Sequence, residues 1–265
     1  MRRRFEATLS TLEVLIVGMA QDIQVRRFPL TFPALGPDPV EVARAARHAY
    51  EQLAERRLAR LDELVPDLRR CFDLFTDHVV SIGIAGKDGK GQDFSILGLT
   101  DHRHRLCITQ ISESLNFLLE DEDDLPAMLV PLFDYGRRAP DGPVLRIPLR
   151  TPPEDEPTTE DEPIRSMVRS PDRGFSHAIQ RQADQDALAE LFSRPRSGGG
   201  FVKIDGPNRY GARVHTPAFS WLDTDTGRYL VTTEADGTGV YTPIDAAGLT
   251  RVLHRHARAL WTQVT

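Results

Sequence analysis

The sequence predicts an α+β fold: one continuous, mostly antiparallel sheet built from two related halves with quasi-twofold symmetry, and helices grouped at either side. Three observations predict it. Apolar residues recur with a helical period in the first 75 residues and with period two after His78. Glycine, proline and aspartate then punctuate short strand-like runs at hairpin spacing. The second half of the chain repeats the order of elements of the first, with a helix leading into strands and the last strand leading into another helix.

Taken in order, Leu9, Leu12, Leu15, Ile16 and Met19 lie at helical spacing and predict a helix over 6–24. The prolines of Phe28-Pro29-Leu30-Thr31-Phe32-Pro33 hold a short extended segment. Asp38 followed by Pro39 starts a second helix that runs to about Arg56. A third begins near Pro66 and sets Leu68, Cys71, Phe72 and Phe75 on one face. Val80, Ile82 and Ile84 form a first strand. Phe94 and Ile96 belong to a second strand, and Leu106, Ile108 and Ile111 to a third, giving a three-stranded meander turned by the glycines of 86–91. A helix follows from Leu125 to Phe133.

Residues 151–163, Thr-Pro-Pro-Glu-Asp-Glu-Pro-Thr-Thr-Glu-Asp-Glu-Pro, offer almost nothing to bury and read as a solvated linker extending to about 174. The expected organisation is a single domain over 1–265, with an N-terminal half (1–150), the linker (151–174) and a C-terminal half (175–265). In that second half a helix over 183–192 is broken by Ser197-Gly198-Gly199-Gly200. Strands are expected over 201–204, 209–215, 219–222 and 228–233, and Thr242-Pro243 opens a last helix through Leu260. Arg105-Leu106-Cys107-Ile108-Thr109 and Arg228-Tyr229-Leu230-Val231-Thr232 occupy equivalent places in the two halves.

A net charge of −6 disfavours nucleic acid as the main partner. No apolar run approaches the roughly 18 residues that a membrane span requires. The charged start Met1-Arg2-Arg3-Arg4 is followed by an apolar run interrupted by Glu6 and Glu13, which does not suit a signal peptide. Cys71 and Cys107 read as buried thiols in a reducing compartment.

Motifs for chemistry are sparse. The glycines from Gly83 to Gly91 lie between two strands, so no helix N-terminus faces a phosphate. His102 and His104 fall in a turn, and His254 and His256 in a helix where i,i+2 spacing separates the rings; neither pair is a metal site by itself. Glu120-Asp121-Glu122-Asp123-Asp124 lacks the glycine of a hard-cation loop and reads as an acidic helix N-terminus, with a contact for a basic partner as the alternative. No nucleophile elbow is present. The expectation is a binding protein with no cofactor, no metal and no catalytic residues.

One stretch points to a family. Phe219-Ser220-Trp221-Leu222-Asp223-Thr224-Asp225-Thr226-Gly227-Arg228-Tyr229-Leu230-Val231 resembles the closing hairpin of the EspG family, the chaperones of actinobacterial type VII (ESX) secretion, and a terminal helix follows it. The segment Leu9 to Glu13 with the apolar helix and Phe28-Pro29-Leu30 after it resembles that family's opening. Leu53 to Leu58 and Leu61 to Leu68 resemble a further passage. Arg57 stands where the family pattern has glycine, and the acidic linker is longer than usual.

The resemblance implies a cytosolic chaperone with a quasi-twofold sheet and two helical bundles. It implies binding to the apolar helical tip of a PE–PPE-like (or other WXG-type) protein, through the sheet, a strand-joining loop and part of the C-terminal bundle. On this chain those parts are Gly86 to Phe94 and the exposed face of Phe219 to Tyr229. Candidate partner-binding residues are Phe94, Phe219, Trp221 and Tyr229 as aromatic anchors or neighbours, with Lys87, Asp88 and Lys90 as a polar rim. Exposed edge strands leave room for a homodimer in the free state. Two rival readings are an enzyme assembled from scattered Asp, Glu and His residues, and an α/β protein holding a small ligand.

Overall fold

The computed structural model describes residues 3–61, 63–134, 138–148, 183 and 186–262. The predicted linker 151–174 lies outside them. Strand β1 (Arg4–Ser10) runs directly into α1 (Thr11–Ala20), so the predicted helix over 6–24 begins as a strand through Ser10 and is helical only over Thr11–Ala20. Ser10 marks the switch. Its hydroxyl accepts from Glu13 N–H at 3.1 Å while the Glu13 carboxylate accepts from Ser10 N–H at 2.7 Å. This capping box satisfies two backbone donors that a helix start otherwise leaves open. Met19, expected on the core stripe, is 55% exposed.

Helix α2 (Pro39–Glu55) starts at Asp38, whose side chain accepts from Val40 N–H. It ends at Arg56, and Arg57 follows with φ +58°. That left-handed conformation after a helix end is one glycine adopts most easily, which accounts physically for a glycine at this place in the family pattern. A small hairpin, β2 (Ala59–Arg60) and β3 (Glu63–Leu64), leads to α3 (Pro66–Asp77).

Four strands follow, not the three expected: β4 (Val80–Lys87), β5 (Asp93–Thr100), β6 (Arg105–Ile111) and β7 (Ser114–Glu120). The chain continues through α4 (Leu125–Asp134) and β8 (Leu145–Pro148) to a helix over 186–193, here α5. The second half comprises β9 (Arg196–Pro207), β10 (Arg213–His215), β11 (Phe219–Thr224), β12 (Arg228–Thr233), β13 (Thr238–Pro243) and α6 (Ala246–Thr262). Gly198, Gly199 and Gly200, expected to break a helix, instead lie inside β9, and Pro243 ends a strand instead of opening the last helix.

One antiparallel sheet runs β1-β7-β6-β5-β4-β9-β11-β12-β13-β8, with β10 paired to β9. Five strands lie on either side of the β4–β9 seam, so the predicted quasi-twofold arrangement is visible in the strand order; the outermost strand on the second side, β8, comes from residues 145–148, ahead of the linker, and crosses to pair with β13. Residue detail supports it. In the β4–β5 turn, Asp88 Oδ1 accepts from Lys90 and Gln92 N–H, and Gly91 takes φ +77°. In the β9–β10 turn, Asn208 Oδ1 accepts from Tyr210 and Ala212 N–H, and Gly211 takes φ +80°. Asp88 and Asn208 are 120 residues apart, as are Gly91 and Gly211. Gly83 and Lys203, also 120 apart, pair with each other across the seam, so the local axis passes between them. The helices correspond too: Asp124 caps α4 by accepting from Ala127 N–H, and Asp245 caps α6 by accepting from Gly248 N–H.

Three apolar clusters hold the layers together. On one face of the sheet, α1, α2 and α3 cover β5, β6 and β7 through Leu97, Leu106, Phe117 and their neighbours. On the other, α4 and α6 cover the seam through Ile82, Ile84, Val202 and Ile204. A third cluster seats α5 on the C-terminal strands, again on the first face, through Leu191, Tyr229 and Tyr241. Each such fully buried side chain contributes about 1.5–3 kcal/mol of transfer free energy. Both Cys71 and Cys107 are buried and free, as expected, and burial pushes their thiols well above the usual range, Cys107 to about 12. Among the described residues no helix is long and apolar enough to cross a membrane.

Candidate functional site

Side-chain parity decides what the first face presents at the seam. Ile82 and Ile84 point into the α4–α6 core, so Ser81, Gly83, Ala85 and Lys87 face the opposite way. Val202 and Ile204 do the same on β9, which sends Gly199, Phe201, Lys203 and Asp205 to the first face. Neither cluster on that face includes a residue of β4 or β9. No described helix covers the seam between the N-terminal helices and α5: Ser81 and Gly83 are buried at one end of it, Gly83 beneath Phe28, while Ala85, Lys87, Phe201 and Lys203 leave the rest as an open strip.

Its shape follows from the register. Ser95, Ala85, Phe201 and Ser220 stand side by side across four strands, so one aromatic ring rises between small side chains. The next row places Asp93, Lys87, Gly199 and Leu222 side by side. Phe28 reaches over Gly83, where no Cβ would fit, and stacks on Phe201 with ring centroids 5.0 Å apart. Phe201 is 45% exposed and Phe28 37%. Two stacked rings left in water above a floor of small residues form a shallow apolar trough of the kind that anchors a partner side chain.

The predicted site residues divide. Lys87, Asp88 and Lys90 lie at the tip of the β4–β5 hairpin, beside the trough. Lys87 Nζ pairs with Asp93 at 2.8 Å. Asp88 is occupied with the turn itself, and N–H donation from Gln92 and Lys90 holds its carboxyl below the usual range. Phe94, Phe219 and Trp221 are corrected: they point to the other face. Phe219 and Trp221 are each 3% exposed; Phe219 packs on His256, and Trp221 lies between Phe94 and Phe133. Tyr229 is on the first face but is buried under α5. The open side of β11 consists of Ser220 and Leu222. Phe28, Phe201 and Lys203 went unselected, although an aromatic on the polar parity of Phe201-Val202-Lys203-Ile204-Asp205 was a readable signal.

Trp221 is held where it is by the hairpin motif. Arg228, fully buried, donates from Nε to Asp223 Oδ1 at 2.7 Å and from Nη2 to Asp223 Oδ2 at 2.9 Å. The same Nη2 donates to Phe133 O at 2.7 Å, and the guanidinium lies 5.4 Å from the ring centroids of both Phe133 and Trp221. Trp221 Nε1 donates to Asp223 Oδ2 at 3.2 Å. The Asp-Thr-Asp-Thr-Gly-Arg run is a structural clasp between β11, β12 and α4.

The model of the EspG family matches residues 10–255, nearly the whole chain. The chain belongs to the EspG family. Among solved structures, the Mycobacterium tuberculosis type VII secretion system chaperone EspG5, in complex with PE25-PPE41 dimer, is similar with a TM-score of 0.62. The likeness covers 97% of each chain at 10% identity, so it shows a shared fold. No curated protein sequence is a significant match. The EspG signature read in the closing hairpin therefore corresponds to the buried Asp223–Arg228 clasp, while the open strip of this EspG chain lies on the opposite face.

The histidine and acid runs fall outside the trough. His102 Nδ1 approaches Asp123 at 3.3 Å and His254 Nε2 approaches Asp124 at 3.2 Å, tying the start of α4 to its surroundings. Arg105 pairs with Glu120 at 2.6 Å and also with Glu122, so these acids neutralise an internal cation. Among the described residues no three His, Cys, Asp or Glu side chains converge as metal ligands.

Beyond Phe28 the strip turns cationic. Arg26, Arg27, Lys203, Arg213 and His215 surround a cavity of about 310 Å3 together with one carboxylate, Asp205. Beneath it lies His78, 2% exposed. Its Nδ1–H donates to Leu74 O at 2.9 Å, which leaves Nε2 to accept from the Arg213 guanidinium. Burial first, then the Arg27 and Arg213 charges, push the His78 pKa down to about 4, against weaker upward pulls from the Leu74 hydrogen bond and then Asp205.

This predicts an acid-sensitive fold. The folded pKa lies below the ordinary histidine value, so the native state binds fewer protons than the unfolded chain between about pH 6.5 and 4. The contribution is whole above that window and is lost as pH falls through it. Urea unfolding at pH 7.5 and 5.0 is expected to differ by about 2 kcal/mol from this group. In His78→Gln, which keeps an acceptor for Arg213, most of that difference should vanish; an unchanged difference would refute the assignment.

Proposed function

We propose that this chain is a type VII secretion chaperone that binds the apolar helical tip of a PE–PPE-like protein in the trough between its N-terminal helices and α5, and acts in the cytosol before export. The stacked and exposed Phe28–Phe201 pair, on a strip that no described helix covers, is the observation that carries this reading. Membership of the EspG family and the PE25-PPE41 complex of the structurally similar EspG5 support it. A helix end laid on the strip would bury two aromatic rings together with Leu222. The hairpin tip at Lys87 and Lys90 would form part of the polar rim that surrounds such an anchor.

The binding needs neither hydrolysis nor a cofactor, because burying apolar surface supplies the driving force. Both halves of the chain contribute strands to the trough, so the reading concerns the sheet as a unit.

Co-expression with the PE–PPE-like pair encoded nearest to this chain, followed by size-exclusion chromatography, tests the function. A one-to-one complex with the pair is expected. Phe201→Asp should weaken it by more than about tenfold, since removing a central anchor typically costs 2 kcal/mol or more. Ile111→Asp, an exposed site on β6, should leave it intact. Failure of the wild-type chain to hold any such pair would overturn the function; a Phe201→Asp chain that binds normally would overturn the trough as its place.

A further inference from the structure

The cationic cavity at the far end of the strip has a composition that the apolar trough does not explain. Four basic side chains, Arg26, Arg27, Lys203 and Arg213, meet one carboxylate there, in a chain whose net charge is −6. Arg26 is used locally, donating to Pro33 O and lying over the Phe32 ring. Arg213 divides itself between His78 and Asp205, the latter at 3.3 Å. Lys203 pairs with no carboxylate among the described residues and is exposed beside the seam axis.

Arg27 is the most telling. Its Nη2 donates to Phe75 O at 2.9 Å, yet its Nε–H is buried without an acceptor. Burial first and the neighbouring Arg213 charge second depress its pKa, against the pull of Asp205. Holding guanidinium groups together, one with an unmet buried donor, costs free energy unless an anion joins them. His78, neutral and accepting from Arg213, fixes one wall of the arrangement in place. Phe28 lines the cavity and also stacks in the trough, so the cationic and apolar sites share one surface.

We infer that this cavity binds a carboxylate-rich polypeptide segment, carried by the client beside its apolar tip. The inference rests on the trough reading for the identity of the client. Its chemistry is independent: planar guanidinium groups favour carboxylates bidentately, and Lys203 adds a mobile point charge. The chain's own run at 154–162, with six Asp and Glu residues, offers the same chemistry and must be separated from the client by experiment.

Binding of a fluorescein-labelled hexaglutamate peptide to the full-length chain, followed by anisotropy at low and high salt, provides the test. The peptide is expected to bind at low salt and to be released at high salt. Lys203→Gln, on an exposed side chain, should weaken it about tenfold, with Arg213→Gln weakening it further. A second chain, with the six acids of 154–162 replaced by Asn and Gln, identifies the source. Similar peptide affinity in both chains supports a client segment. Binding seen only in the second chain would overturn the client in favour of the chain's own run. No binding by either chain, or binding indifferent to Lys203→Gln, would overturn the cavity as a carboxylate site. The peptide stands in for the client, so failure here and failure of the co-expression experiment are separate results.

Discussion

Replacing Arg228 by methionine while Asp223 remains is expected to destabilise the fold by about 3–5 kcal/mol, the usual cost of leaving one partner of a buried ion pair uncompensated. The guanidinium meets three demands at once. It neutralises a carboxylate that is 3% exposed, accepts the faces of Phe133 and Trp221, and closes the end of α4 by donating to Phe133 O. Methionine preserves much of the volume and none of the hydrogen bonds, so the loss measures the charge and its donors more than a cavity.

A double-mutant cycle makes the argument sharper. Asp223→Leu alone should also cost several kcal/mol, because it strands a buried cation. The chain carrying both Asp223→Leu and Arg228→Met should recover a large part of the loss, since replacing both charges removes the uncompensated ion. Urea unfolding of the four proteins gives the coupling directly. Additive losses would show that the two residues act separately, and would remove the clasp as the reason for the hairpin motif. Binding to the client should survive in every variant that folds, because the clasp lies on the face opposite the trough.

That separation explains what was and was not legible in the sequence. The hairpin could be recognised because a buried ion pair in a tight turn restricts residue types strongly. The hairpin motif does not, however, place its aromatics on the exposed side. Period-two alternation tells which residues share a face; it does not tell which face the helices cover. Phe219, Trp221 and Asp223 share one parity, Ser220 and Leu222 the other, and only the positions of α4 and α6 settle that the first set is buried.

Strand β7 was missed for a related reason. Ser-Leu-Asn-Phe-Leu-Leu-Glu carries apolar residues on both faces because helices pack on both, so the alternation is blurred. Strand β1 merged with α1 because Leu9, Leu12 and Leu15 happen to continue the helical spacing. The Ser10-x-x-Glu13 capping box held the boundary in plain view. The order of ten strands across one sheet depends on pairings between residues more than 100 positions apart, which no local pattern contains.

The glycines of β9 show the same limit from the opposite side, and they carry the second large prediction. Three consecutive glycines read as a helix breaker, yet the structure uses them inside the central ladder. A Cβ at Gly200 would collide with Ala85 O, with Trp221 Cη2 and with Gly86 Cα across the seam. Gly86, its neighbour in register, is likewise closed by Gly199 O and by the Trp221 and Phe94 rings. The absence of side chains at both positions is what lets the two halves meet while the Trp221 indole packs against the junction.

Gly200→Ala is therefore expected to cost about 3 kcal/mol, at the upper end of the usual overpacking penalty, because two of the three obstructing atoms are backbone. Pairing it with Trp221→Phe discriminates the cause. Shrinking the ring relieves the contact with Cη2 but cannot move the Ala85 carbonyl, whose strand is fixed on both sides by ladder hydrogen bonds. Only a minor part of the loss should return in the double variant, relative to Trp221→Phe alone. Full recovery would mean that the glycine serves the tryptophan and not the approach of the strands. With the close approach intact, the same seam presents its small residues on the opposite face, where Ala85 and Gly83 leave room for Phe28 and Phe201 to stand exposed. The packing that joins the two halves thus also shapes the floor on which a client's tip would rest.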